Sequence, residues 1–465
     1  MSRRSYLKYV AGGAVAVAVA AAGGYYALQP KPAEGPPTTV APTTVAIPTT
    51  ELQMAIWGYH PEVVEENMGI FEQQYSENGT VQVVPGDYGS VMETKFMGKA
   101  PIDVCYALNP HAFKWYTLGW LSDVEGIAKS NIVPYDISEI KDAITPGLRE
   151  TIVTPEGKMI ALPYFASVDG TLFANDQLLE DAGFAGEYPK TYSELYDQLE
   201  KITKKGFPTP YLPGWMAEWH GISFAWIWEA MNIEGDEAMF DSKTLDPTFD
   251  TNTAAAEILK NWKRLYDNNV VPKAMLTSSE SDNMTWFKSG KYAYHQIEDY
   301  NIGQYNDPSQ STIGGKVSIV QNSTQQKWGD FTAGWYAIVK RDRTPVEQER
   351  VNRLMEFFSY KDKNGEFLVP KKFVANFSIL SMYPEVLNDP TVKDQLAKAF
   401  RTDPSVAISN LMSSQIVNAQ KAVWFMDWNA TVLTELPLAL TGKKSINDVI
   451  TTLREEAISV KKKYQ

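Results

Sequence analysis

From Leu52 onward, short apolar strand segments alternate with amphipathic helical segments, and this alternation limits the chain to sheets covered by helices. Leu52-Gln53-Met54-Ala55-Ile56-Trp57 has the alternation of a strand. Val64, Met68, Phe71 and Tyr75 follow at spacings of 4, 3 and 4, which sets them on one helix face. Thr80 to Val84 reads as a second strand, and Ile102 to Tyr106 as a third after another helical stretch. A βαβ order of this kind predicts an α/β fold with a parallel sheet, in which ligands lie beyond the strand carboxyl ends. Three segments are therefore candidate site loops: Gly58-Tyr59-His60, Ala107-Leu108-Asn109 and Pro163 to Asp169. Farther on, Thr191 with Glu194 predicts a capping box for a helix whose buried stripe is Leu195, Leu199 and Ile202, ended at Gly206. Ser445 with Asp448 opens the last helix, and Lys461-Lys462-Lys463 suits its negative C-terminal end as a solvated terminus.

The first fifty residues do not belong to this pattern. Ser2-Arg3-Arg4-Ser5-Tyr6-Leu7-Lys8 precedes an uncharged stretch from Tyr9 to Leu28, so 1–29 reads as a twin-arginine-like export signal or a membrane anchor. Its length suffices to span a bilayer, while Ala20-Ala21-Ala22 satisfies the small-residue rule for cleavage, so both fates stay open. Residues 30–50 are rich in Pro and Thr and read as an extended stalk. Sequons start at Asn78, Asn283, Asn322, Asn376 and Asn429, in keeping with an exported glycoprotein. The stalk, with no cysteine for lipid attachment, suggests an archaeal surface protein on the extracellular face of the membrane.

Composition narrows the function classes. Against 43 Lys+Arg stand 56 Asp+Glu, a net charge of −13 that argues against a nucleic-acid surface. The one cysteine, Cys105, has no intramolecular disulfide partner and reads as a buried thiol. The four histidines lack metal spacing, and no His-Glu-x-x-His, Gly-x-Ser-x-Gly, Gly-x-Gly-x-x-Gly or Walker A motif occurs. No cofactor, metal or catalytic residue is therefore assigned, and the chain is not read as an enzyme. The unusual entry is aromatic: 13 Trp, 24 Tyr and 19 Phe, with Trp over-used, which raises the question whether the rings are only core or in part a binding surface.

The ordered motifs carry a resemblance. Pro101-Ile102-Asp103-Val104, Gly119-Trp120-Leu121, Ala161-Leu162-Pro163-Tyr164 and Phe173-Ala174-Asn175-Asp176 come first. Pro189-Lys190-Thr191-Tyr192, Trp286 to Ala293, Gly334-Trp335-Tyr336-Ala337-Ile338 and Ala439 to Ser445 follow. Taken in order, from about 52 to 460, this set resembles the family 1 extracellular solute-binding proteins of sugar ABC importers, which are maltose-binding-protein-like. Phe173-Ala174-Asn175 lacks the family's usual tyrosine before the asparagine, and Tyr294 stands where Met is common. The resemblance implies a two-lobed periplasmic-binding-protein fold of type II, with strands crossing between lobes around a ligand cleft. It places 51–166 with 298–342 in the N-terminal lobe and 167–297 with 343–465 in the C-terminal lobe. It further implies a monomer that captures a sugar or oligosaccharide by hinge closure. Its partners would be membrane permease subunits whose ATPase is a separate chain, with the membrane touched through the N-terminal segment if that is uncleaved.

Sugars need hydroxyl partners and flat apolar surfaces together, and Trp and Tyr supply both. The candidate platforms are Trp57, Tyr59, Trp215, Trp219, Tyr300, Trp335, Tyr336 and Trp428. His60, Asn109, Ser167, Asp169, Glu298 and Asp299 are the candidate hydroxyl partners. Tyr300 lies at a spacing after Lys291-Tyr292-Ala293 where the resemblance implies a sugar-stacking ring. Trp226, Trp228, Trp262 and Trp286 read instead as helix-face core, and Trp335 fits strand core equally well. Because a glycosidase needs only two well-placed carboxylates, an exported carbohydrate-active enzyme is the second reading, and a surface adhesive glycoprotein the third.

Overall fold

The computed structural model describes residues 51–216, 221–401, 403–414 and 416–465. The signal, the stalk and Trp219 lie outside the described residues. No helix among the described residues is long and apolar enough to cross a membrane.

Two sheets organise the body. The first contains β1 (Leu52–Ile56), β2 (Gly79–Val83), β3 (Val104–Leu108), β4 (Leu121–Ser122), β5 (Leu162–Asp169) and β10 (Asp330–Val339). Its order is β2-β1-β3-β10-β4, with β5 also on β10. The second runs β7 (Tyr211–Leu212), β8 (Tyr294–Ile297), β6 (Thr171–Asn175) and β9 (Val317–Ile319). β1 is parallel to β2 and β3, as the βαβ pattern predicts. β10 runs antiparallel to β3, β4 and β5, so the sheet is mixed rather than parallel. The reason is connectivity: a short helical crossover returns a strand in parallel, whereas β10 re-enters from the other sheet.

The chain passes between sheets at two adjoining places. β5 in the first sheet and β6 in the second are separated by Gly170 alone, and the return runs from β9 to β10 through Gly329. Gly170 has φ +82°, a left-handed conformation that favours glycine. These crossings shift the segment boundaries expected from the motifs. β9 pairs with β6 in the second sheet, although 298–342 was expected with the first. The helix Pro345–Ser359 packs on β10 and β5, although 343–465 was expected with the second.

Local signals read from the sequence act largely as chemistry demands. Thr191 accepts the Glu194 N–H at 3.2 Å and starts the helix Tyr192–Lys204, whose Leu195, Leu199 and Ile202 are buried. The Glu194 carboxylate accepts from Lys190 N at 2.8 Å, one residue upstream of the box position. Ser445 caps Ile446–Lys463 through the Asp448 N–H. Cys105 is fully buried in β3, and burial raises its thiol pKa, so it stays a neutral thiol. Asn283 and Asn429 are also fully buried and closed to a glycan in the folded protein, whereas Asn78 and Asn376 are exposed.

Candidate functional site

A cavity opens where both sheets contribute residues. Trp57 and Tyr59 follow β1, Leu108 ends β3, and Glu298 and Tyr300 follow β8. These are carboxyl ends of strands, where open α/β sheets hold ligands. Tyr164, Phe165 and Asp169 come from β5, Thr332 from β10, Phe224 from the helix Gly221–Glu234 and Glu280 from the helix Glu280–Lys288.

One wall is aromatic. Trp57 lies 5.9 Å from Tyr164 and meets Phe165 edge-on at 6.5 Å. Tyr59, from the first-sheet side, and Tyr300, from the second-sheet side, approach to 5.8 Å between ring centres. Flat faces with polar edges thus bridge the two halves.

The other wall is acidic. Asp169, Glu280 and Glu298 line the cavity, and among its described lining residues there is no lysine or arginine. Glu298 is 6% exposed, and its Oε2 has no hydrogen-bond partner among the described residues. Burial, reinforced by the Asp169 and Glu280 charges, holds the Glu298 carboxyl well above the usual carboxylate range. Enclosure raises Asp169 too, with the Glu280 charge adding to it. Asp299 stands behind them; burial pushes it up to about 7, although Ser167 Oγ donates to its Oδ1 at 2.6 Å.

These shifts make stability depend on pH. A carboxyl with a raised folded pKa favours the fold when protonated, so its stabilisation is complete below the unfolded value and lost as pH rises through the folded one. Asp299 at about 7 and Glu229, pushed by burial to about 8, set that upper limit. His295, buried and lowered to about 3, acts oppositely but only below its ordinary 6.5. The urea midpoint of the ligand-free protein is therefore expected to fall between pH 6.5 and 9. A flat or rising midpoint would contradict the burial of these acids.

Residues 58–360 match the family model described as bacterial extracellular solute-binding protein. The chain belongs to this family. Solved structures share the fold of this solute-binding protein at low identity. Maltose-bound MalE3 of T. maritima aligns at a TM-score of 0.73 and 18% identity, covering 88% of this chain and 99% of that one. A solute-binding protein of Thermotoga lettingae TMO, bound with alpha-D-tagatose, gives 0.71 and 17% over 88% and 99%. One from Agrobacterium radiobacter K84, in complex with ribitol, gives 0.70 and 18% over 88% and 98%.

Of the side chains singled out in the sequence, Trp57, Tyr59, Asp169, Glu298 and Tyr300 line the cavity of the solute-binding protein together. Ser167 and Asp299 form the buried pair just behind it. His60 stands at the position before the helix Pro61–Tyr75 in a left-handed conformation, stacked on Phe377 at 3.9 Å with Nδ1 2.8 Å from Glu62. Five others are core rather than cavity wall. Trp335 Nε1 donates to Asn109 Oδ1 at 3.0 Å, and Asn109 Nδ2 donates to Thr151 O at 2.9 Å, so this pair satisfies itself in the interior. Tyr336 packs against Tyr106 and Tyr164 on the opposite face of β10; helix cover on both faces buries both neighbours. Trp215 lies 4.9 Å from Trp262, and Trp428 donates to Leu453 O at 2.9 Å. Phe224, two residues before Trp226, and Glu280, at an ordinary capped helix start, were not singled out in the sequence as lining residues.

Proposed function

We propose that this solute-binding protein is the extracellular substrate-binding component of an ABC importer and captures a sugar or related polyhydroxylated solute. The observation that carries the reading is the cavity itself, with the Tyr59 and Tyr300 rings contributed from opposite sheets at a doubly crossed hinge. The first lobe comprises 51–169 with 330–359, and the second 171–319 with 390–465. Contacts available only when the lobes close supply the energy of closure. Stacked rings engage the C–H faces of the solute, while Asp169, Glu298 and Thr332 accept or exchange hydrogen bonds with hydroxyls. Maltose, tagatose and ribitol in the similar structures support a polyhydroxylated ligand. The protein acts as an exported monomer, held at the membrane by its N-terminal segment. It delivers its ligand unchanged to permease subunits powered by a separate ATPase.

A thermal-shift screen of mono- and oligosaccharides tests this. A binding protein gains melting temperature with ligand and returns the sugar intact. Shortened products would favour the glycosidase reading. Tyr300→Ala should weaken affinity by ~1–3 kcal/mol, as expected for a stacked aromatic anchor, without changing the ligand-free melting temperature by more than a few degrees. Unchanged affinity would remove Tyr300 from the site.

A further inference from the structure

The part of the cavity built on the first sheet has two ends of different chemistry. β5 runs along it in unbroken register from Phe165 to Asp169, so Phe165, Ser167 and Asp169 share one face by alternation. At ~3.3 Å per residue, Phe165 and Asp169 stand roughly 13 Å apart. Thr332, opposite Ser167, lies midway. At the Asp169 end the Asp169, Glu280 and Glu298 charges act on one another, so the acids gather there. The Phe165 end is apolar. Gly334 of β10 pairs with Leu108 on one side and Phe165 on the other, which sets these residues at one level of the sheet. Gly334 has no side chain, and the Phe165 ring occupies the place where its Cβ would stand. Ala166 N–H donates to Leu380 O at 2.9 Å and thereby holds Ile379 beside the same stretch of β5. Leu108, Phe165 and Ile379 all line the cavity, and none carries a hydrogen-bonding side-chain group. Leu108 and Phe165 are only half-buried, so their apolar surface is open to a ligand.

A pyranose is apolar on its two ring faces and hydroxylated around its rim. Tyr59 and Tyr300, contributed from the two sheets, suit the faces and leave the rim to the first sheet. A rim hydroxyl set on Leu108, Phe165 and Ile379 loses water and gains no side-chain partner. We propose that the transported solute is a sugar with one apolar end, which packs on Leu108, Phe165 and Ile379 while its hydroxyls meet Thr332 and the acids. The apolar group is the methyl of a 6-deoxyhexose or the aglycone of an apolar glycoside. This rests on the sugar-binding reading above and narrows its substrate class.

Calorimetric titration of the purified protein at pH 7 tests this with matched sugars. The first arm pairs L-rhamnose with L-mannose, L-fucose with L-galactose and D-quinovose with D-glucose. The second sets methyl and phenyl β-glucosides against glucose and cellobiose. In one arm or the other, the apolar member should bind tighter than its hydroxylated partner by on the order of ten- to a hundredfold. Preference in the first arm identifies a deoxy sugar, and preference in the second an apolar glycoside. Leu108→Asn gives this end a hydrogen-bonding group and should cut the preference by about tenfold. If that variant does not fold, Phe165→Tyr carries the same comparison. An unchanged preference in the variant that folds would overturn the placement of the apolar end. Equal or tighter binding of the hydroxylated members in both arms would overturn the apolar assignment and leave the sugar reading standing. No binding in either arm would overturn both.

Discussion

Gly329→Ala is expected to cost about 3 kcal/mol or more of stability, at the upper end of what overpacking a close contact does. A Cβ at Gly329 would stand 1.9 Å from Asp169 O and 2.8 Å from the carbonyl carbon of Gly170. Both obstacles are backbone, so no side chain can rotate away. Only separation of the two chain crossings relieves the clash, and that separation moves Asp169, which lines the cavity. Ligand affinity should therefore fall along with stability. Gly170 cannot give way easily: its own Cβ would meet Gly329 Cα at 3.2 Å, and its φ is +82°. Gly69→Ala is the control. It lies inside the helix Pro61–Tyr75 with nothing within 4 Å of its Cβ, and should stabilise by up to about 1 kcal/mol. Urea midpoints of the two variants read the contrast. A Gly329→Ala midpoint equal to that of the parent would show that the crossings do not touch in solution.

Trp428→Ala is expected to lose about 3–5 kcal/mol, the usual cost of emptying a large aromatic site in a core. Trp428 is fully buried, meets Phe240 edge-on at 5.0 Å and donates to Leu453 O at 2.9 Å. It fastens the helix Phe425–Leu440 to Ile446–Lys463, so its removal leaves a cavity and breaks that link. The protein that remains folded should bind ligand with unchanged affinity, since Trp428 does not line the cavity. Calorimetry on the folded fraction, set beside a denaturation curve, separates the two effects. A loss of affinity exceeding the loss of folded protein would return Trp428 to the site. Tyr300→Ala is its mirror image, with affinity falling and stability nearly kept.

Much of the architecture was legible because it follows from local chemistry. The first strands, the helix Pro61–Tyr75 and the capped helix Tyr192–Lys204 are written in apolar spacing and in single capping side chains. Tyr59 was legible for a related reason: it follows the first strand, and the ends of strands point to the site in any open sheet, whereas Tyr300 was singled out through the family resemblance. The direction of β10 was not legible, because no local pattern records that a strand returns from another sheet.

The sequence by itself determined the alternating elements, the two-lobed family fold and the loop that carries Tyr59. Tertiary structure alone decided which aromatic rings face the cavity and which fill the core. An indole looks the same in either place, and its fate depends on partners far along the chain. Trp335 finds Asn109 across 226 residues and becomes interior, while Ser167 meets Asp299 across 132. The acidic wall arose in the same way: Asp169, Glu280 and Glu298 are unremarkable singly and become a site only when two chain crossings bring them around one space. Charge acts through distance in space, and the order of residues does not state that distance.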